Sequence, residues 1–100
     1  MVKHIVTWKF KETADAAGKK ANIAKAKAML EGLAQRITVV RNLEVGVNVN
    51  TSDGAYDLAL YAEFASLADL EIYQKHPEHV KAADYLKTVR DVRVVVDYVI

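Results

Sequence analysis

Three histidines, His4, His76 and His79, are the side chains in this sequence best suited to move protons near neutral pH. The run His76-Pro77-Glu78-His79 is the most distinctive of their settings. A proline favours the first position of a helix, which makes His76 the cap and puts His79 in the first turn. The helix dipole is positive there, disfavours an imidazolium and lowers the pKa. A neutral imidazole near pH 7 is what a general base requires. His76 reads as a capping and turn residue, while for His79 a structural and a basic role both stand. Tyr73, on the inward stripe just before this run, is either a core aromatic or the group that orients a substrate carbonyl or the imidazole. His4 is either a satisfied histidine at the edge of the core or a pocket residue, and Trp8 belongs to the core or to the pocket wall. The three-residue spacing of His76 and His79 could share a helix face. No carboxylate cluster accompanies it, so no metal site and no cofactor is expected.

Other chemistries drop out on composition. With no cysteine among 100 residues there is no thiol nucleophile, no disulfide and no zinc–thiolate site. Ser52 lies in a turn and Ser66 at a helix cap, neither in a nucleophile elbow. The four glycines, at 18, 32, 46 and 54, form no phosphate loop. A formal net charge of +1 provides no strong field for nucleic acid. The longest apolar runs, such as Leu58–Ala62, fall far short of the roughly 20 residues that cross a membrane, and charges interrupt the first dozen residues. The expectation is one cytoplasmic domain over residues 1–100, thin-cored and without staples.

The elements that must position these residues are readable from periodicity. Residues 2–10 alternate, with Val2, His4, Val6, Trp8 and Phe10 on one face. From about 14 to 36 the period becomes helical, with Ile23, Ala26, Leu30, Leu33 and Ile37 inward and Gly18 weakening the first part. Strands follow at 43–49 and 56–64, joined by the turn residues Asn50-Thr51-Ser52-Asp53-Gly54 and therefore antiparallel neighbours. Ser66, three residues before Asp69, opens a helix with Leu67, Leu70 and Tyr73 inward. Pro77 opens the next, with Val80, Ala83, Leu86 and Val89 inward. Residues 92–99 form the last strand, with Val92, Val94, Val96 and Tyr98 on its inner face. The order βαββαβ predicts a ferredoxin-like α+β fold, an antiparallel sheet with its helices on one face.

The other face has nothing from the chain to cover it. On this pattern it carries Ile5, Thr7, Ala59, Tyr61, Glu63, Arg93, Val95, Asp97 and Val99. A wet face would be mostly polar, whereas this one mixes Ile, Tyr and Val with charges of both signs. It is either an ordinary solvated face with some apolar residues or the seat of a sheet-to-sheet homodimer closing a barrel, and the homodimer is the expectation.

Several segments together resemble the stress-responsive dimeric α/β-barrel (Dabb) domain family: Val2-Lys3-His4-Ile5-Val6, Lys9-Phe10-Lys11, Leu43-Glu44-Val45-Gly46, Glu63-Phe64-Ala65-Ser66, His76-Pro77-Glu78-His79-Val80 and Val95-Val96-Asp97-Tyr98. The resemblance implies a ferredoxin-like protomer and a barrel-forming homodimer. It also implies a distant likeness to a plant polyketide cyclase, olivetolic acid cyclase, which closes a linear polyketide without a cofactor in a pocket between helices and sheet. On that likeness His79 matches the catalytic base, Tyr73 its partnering tyrosine and His4 the first-strand histidine. Leu58 stands where that enzyme has a further histidine, and Trp8 where a smaller apolar residue is expected, so the implied pocket is drier and smaller. Two functions follow. One is a homodimeric stress-response protein whose small apolar pocket is packing or a ligand site. The other is a cofactor-free enzyme using His79 as general base on a small apolar, carbonyl-bearing compound.

Overall fold

A computed structural model describes residues 1–100. The elements run β1 (Val2–Phe10), β2 (Thr13–Ala14), β3 (Ala17–Gly18), α1 (Lys19–Arg36), β4 (Asn42–Val47), β5 (Leu58–Phe64), α2 (Leu67–Lys75), α3 (Pro77–Val89) and β6 (Arg90–Val99). The main sheet has the order β4-β5-β1-β6, every pair antiparallel. This is the ferredoxin-like α+β arrangement expected from the sequence. None of the helices is long and apolar enough to cross a membrane.

β1 is central, and its alternation sets the core. Val2, His4, Val6, Trp8 and Phe10 are all buried and point toward the helices. Opposite them across β5 stand Phe64, Ala62, Leu60 and Leu58, buried in turn. The helices close this layer with Ala26, Leu30 and Leu33 of α1, Leu70 and Tyr73 of α2, and Ala82, Leu86 and Val89 of α3. The Ser66 hydroxyl accepts a hydrogen bond from the Asp69 amide at 3.1 Å, capping α2. Pro77 is the first residue of α3, and the Glu78 amide donates to His76 Nδ1 at 3.1 Å, so His76 is the cap expected of it.

The structure corrects the sequence reading at several points. The helix expected from about residue 14 starts only at Lys19. Residues 13–18 instead form a small hairpin whose central residues, Asp15 and Ala16, have φ of 53° and 59°, as a primed two-residue turn demands. The alanine-rich composition favours helix, but the buried Asn22 holds the hairpin. Its Nδ2 donates to the carbonyls of Ala14 at 3.0 Å and Ala17 at 3.4 Å, and its Oδ1 accepts from the Tyr85 hydroxyl at 3.1 Å. On α2 and α3 the inward stripe is narrower than the spacing implied. Leu67 and Val80 are 61% and 44% exposed, and Ala82 takes a buried place.

The largest correction concerns β6, which is turned over relative to the expectation. His4 pairs with Asp97, Val6 with Val95, Trp8 with Arg93 and Val2 with Val99. Residues directly opposite in an antiparallel ladder share a face, so these four β6 residues lie on the helix side. The uncovered face therefore carries Val92, Val94, Val96 and Tyr98 beside Ile5, Thr7, Ala59, Tyr61 and Glu63. Alternation could not set this strand's face, because valines stand at 92, 94, 95, 96 and 99, and a shift of one residue turns every side chain over.

Asn22→Ala removes the side chain that ties the hairpin to α1 and α3. It leaves two carbonyls and a tyrosine hydroxyl short of a partner, so unfolding in urea is expected to show a loss of about 1–2 kcal/mol. An unchanged midpoint would mean that the hairpin does not depend on this side chain.

Candidate functional site

A cavity of about 180 Å³ lies between the helix side of the sheet and the three helices. Its wall comprises His4, Val6, Trp8, Leu30, Leu60, Tyr73, His79, Ala83, Leu86, Lys87, Arg90 and Arg93. The candidate residues His4, Tyr73 and His79 are thus brought together, with Trp8 beside them. Leu58, expected in the wall, is not part of it. It lies one inward step along β5, paired with Trp8 and Val47, and Leu60 takes the place in the wall. His76 stays outside, at its cap.

Each side chain arrives from a different element for a local reason. His4 comes from the core face of β1 and is 2% exposed. Its Nδ1 lies 2.5 Å from Oδ1 of Asp97, the residue opposite it on β6. A carboxylate only accepts, so Nδ1 carries the hydrogen and Nε2 is the ring's remaining polar atom. Tyr73 comes from the last full turn of α2, and His79 from the first turn of α3. The break at His76-Pro77 lets two residues only six apart in sequence face each other from separate helices.

The three rings form a chain. Tyr73 and His79 meet edge to face with centroids 4.6 Å apart, and Tyr73 and His4 do so at 6.2 Å. Phe64 backs Tyr73 at 5.0 Å. Burial pushes the Tyr73 phenol well above its ordinary pKa, with Arg93 pulling weakly the other way, so the hydroxyl is a neutral donor. Burial lowers His79 to about 4, helped by His4 and Arg93 and opposed by a hydrogen bond to the Gln74 backbone. The expected direction of this shift is present, but its leading cause is desolvation by burial and not the helix dipole from which it was expected. His79 Nδ1 is the one buried side-chain nitrogen or oxygen with no hydrogen-bond partner.

The sequence reading missed four residues here. The alternation of 92–99 puts Asp97 and Arg93 on the opposite face, and nothing in the spacing of Lys87 and Arg90 points to a site. Arg90, Arg93 and Asp97 follow from one datum, the register of β6 against β1, whereas Lys87 sits on α3 and is placed by the helix. His4 and Asp97 bind each other, and no third His, Cys, Asp or Glu joins them to make a metal-binding group. What the arrangement offers is a neutral imidazole, a neutral phenol and a carboxylate-held imidazole around one apolar space. These can take up a proton and hydrogen-bond an oxygen without a cofactor.

The chain matches the Stress responsive A/B Barrel Domain family, Dabb, over residues 2–100. Among solved structures it is similar to a dimeric ferredoxin-like protein of unknown function from Bacteroides fragilis. The two share 36% identity over 99% of this chain and 95% of that one, with a TM-score of 0.85. It also shares the fold of a dimeric ferredoxin-like protein from Thermobifida fusca (22% identity, 99% and 90% covered, TM-score 0.83). Hydroxynitrile lyase from Passiflora edulis has the fold as well (20% identity, 99% and 92% covered, TM-score 0.82). No curated protein matches the chain.

His79 titrates lower in the folded protein than in the unfolded chain, about 4 against 6.5. Its contribution to stability is whole above about pH 6.5 and is lost as the pH falls toward 4, because the unfolded chain takes up a proton that the folded one refuses. Urea unfolding across this range should therefore show a smaller loss in His79→Leu than in the parent, by up to one proton of linkage. Identical pH slopes for the two proteins would overturn the assignment.

Proposed function

The chain belongs to the Stress responsive A/B Barrel Domain family, and from that premise we propose that it is a homodimeric, cofactor-free acid–base enzyme for small, largely apolar carbonyl compounds. His79 takes a proton from the carbon beside the carbonyl. The electron pair of that C–H bond moves onto the carbonyl oxygen, where the Tyr73 hydroxyl donates a hydrogen bond to the developing enolate. His4, whose Nδ1 hydrogen is held by Asp97, lines the same cavity with Nε2 as an acceptor for a substrate O–H. The proton then returns from His79 to carbon; alternatively the enolate carbon attacks a second carbonyl of the same molecule, whose oxygen takes the electron pair of its C=O bond and then the proton held by His79.

One observation carries this reading over plain packing or passive binding: His4, Tyr73 and His79 line a single open cavity that Trp8 narrows without filling. An apolar cavity of about 150 Å³ holds a benzene molecule, so this one suits a substrate of ring size with its polar end at the mouth. An imidazole with a pKa of about 4 is a weak base, which favours substrates whose proton is already acidic. The fold of the Passiflora hydroxynitrile lyase is shared by this chain, so the scaffold does host an enzyme.

The homodimer rests on the bare face of the sheet and on the dimeric relative that is 36% identical over nearly the whole chain. Val94, Val96 and Tyr98 are 48%, 60% and 39% exposed there, beside Ile5 and Tyr61. A second sheet packed on this face removes them from water and adds a second core to a thin domain.

The methylene protons of ethyl acetoacetate, made acidic by two flanking carbonyls, followed by proton NMR in D2O, provide a direct test of the chemistry. The protein should speed their exchange, and His79→Ala should lower that acceleration by about 10²-fold or more. Exchange unaffected by the substitution removes His79 as the base, and no acceleration by the parent protein returns the cavity to a binding role. Light scattering should give twice the 11.1 kDa chain mass, and Val96→Lys should bring it down to one chain. A monomeric parent protein would refute the dimer.

A further inference from the structure

The mouth of the cavity is cationic, and its charges are not balanced. Lys87 stands near the end of α3, and Arg90 and Arg93 stand on β6, all three lining the same opening. Neither arginine takes part in any ion pair of the chain. Lys87 reaches Asp84 only at 3.9 Å with both side chains mostly in water, a contact of little strength. The strand has two carboxylates: Asp91 forms no ion pair with either arginine, and Asp97, although close enough to act on Arg93, is hydrogen-bonded by His4. A protein with a formal net charge of only +1 thus gathers three cations around its one apolar, histidine-lined cavity. Guanidinium groups in a partly dry setting match the two oxygens of a carboxylate better than any neutral group.

We infer that the ligand of this cavity is an amphiphilic carboxylate, its apolar body against Trp8, Leu60 and Leu86 and its carboxylate at Arg90 and Arg93. The inference rests on the reading of this cavity as the ligand site and names the class of compound that enters it. The carbonyl of such a compound sits between its anionic end and the Tyr73–His79 pair, which describes a small oxo acid. The negative group also offsets the positive field of Arg93 at His79, so the imidazole becomes a stronger base when the correct ligand is bound and stays weak when the site is empty.

Trp8 is the only tryptophan and lies in the cavity wall, so its fluorescence and its single indole N–H resonance report occupancy. Phenylacetate and phenylacetamide have nearly the same shape and differ in charge. Phenylacetate should bind at least about tenfold tighter, roughly the effect of one charge-assisted contact. The advantage should shrink with added salt. In the double variant Arg90→Gln, Arg93→Gln the two compounds should bind within about twofold of each other. Equal binding of the two by the parent protein overturns the carboxylate and leaves the ligand site standing. A preference that survives in the double variant overturns the assignment to these arginines. If neither compound perturbs Trp8, the ligand site itself fails and the carboxylate with it.

Discussion

The pairing of β1 with its two neighbours is the constraint on which everything else in this protein depends. β1 is the only strand flanked by partners that are both distant in sequence, β5 on one side and β6 on the other. In an antiparallel ladder each residue of β1 dictates the face of the residue across from it. Once Val2, Val6 and Phe10 are drawn under the helices by the removal of apolar surface from water, His4 and Trp8 must follow. So must Asp97 and Arg93 across the ladder. The carboxylate that orients His4 is thereby placed by hydrophobic burial several residues away, without any local preference of its own.

The helices complete the site by a different device. A continuous helix through residues 67–89 would put Tyr73 and His79 on different sides. Pro77 forbids that continuation, since it lacks an amide hydrogen and restricts the residue before it. His76 turns this interruption into a cap, with φ and ψ of −62° and 137°, and the chain re-enters helix at a new angle. The edge-to-face contact of Tyr73 and His79 follows from the bend. Burial in this corner keeps the imidazole neutral and the phenol protonated, two states that complement each other at a carbonyl.

Much of this was legible in the residues alone. The alternation of 2–10, the turn chemistry near Asn50, the Ser66 cap and the His76-Pro77 break each carry a strong local preference, and each appears where that preference put it. His4, Tyr73, His79 and Trp8 were therefore placed on the correct faces and meet in one wall. Where local preference is silent or misleading, the reading failed. Ala14, Ala16 and Ala17 favour helix, yet the two bonds from Asn22 and the turn at Asp15–Ala16 override them, and Ala16 accepts a φ of 59° that costs an L-residue about 1–2 kcal/mol. On β6 both faces are rich in valine, so only the long-range register could say which one looks at the helices. Leu58 and Leu60 differ by a single inward step of β5, a distinction that spacing cannot make.

β6 is an edge strand exposed over most of its length, and its stretch Val94-Val95-Val96 is β-branched, uncharged and free of proline. An unpaired edge strand of this kind is open to the addition of another chain's strand. The residues that bracket it are Arg93 and Asp97, which interrupt the apolar run on both sides in the manner of gatekeeper charges. The side chain that orients His4 and one that rims the cavity thus also guard the colloidal behaviour of the chain. A substitution that retunes the cavity at either residue therefore also changes the charge pattern along the open edge of the sheet.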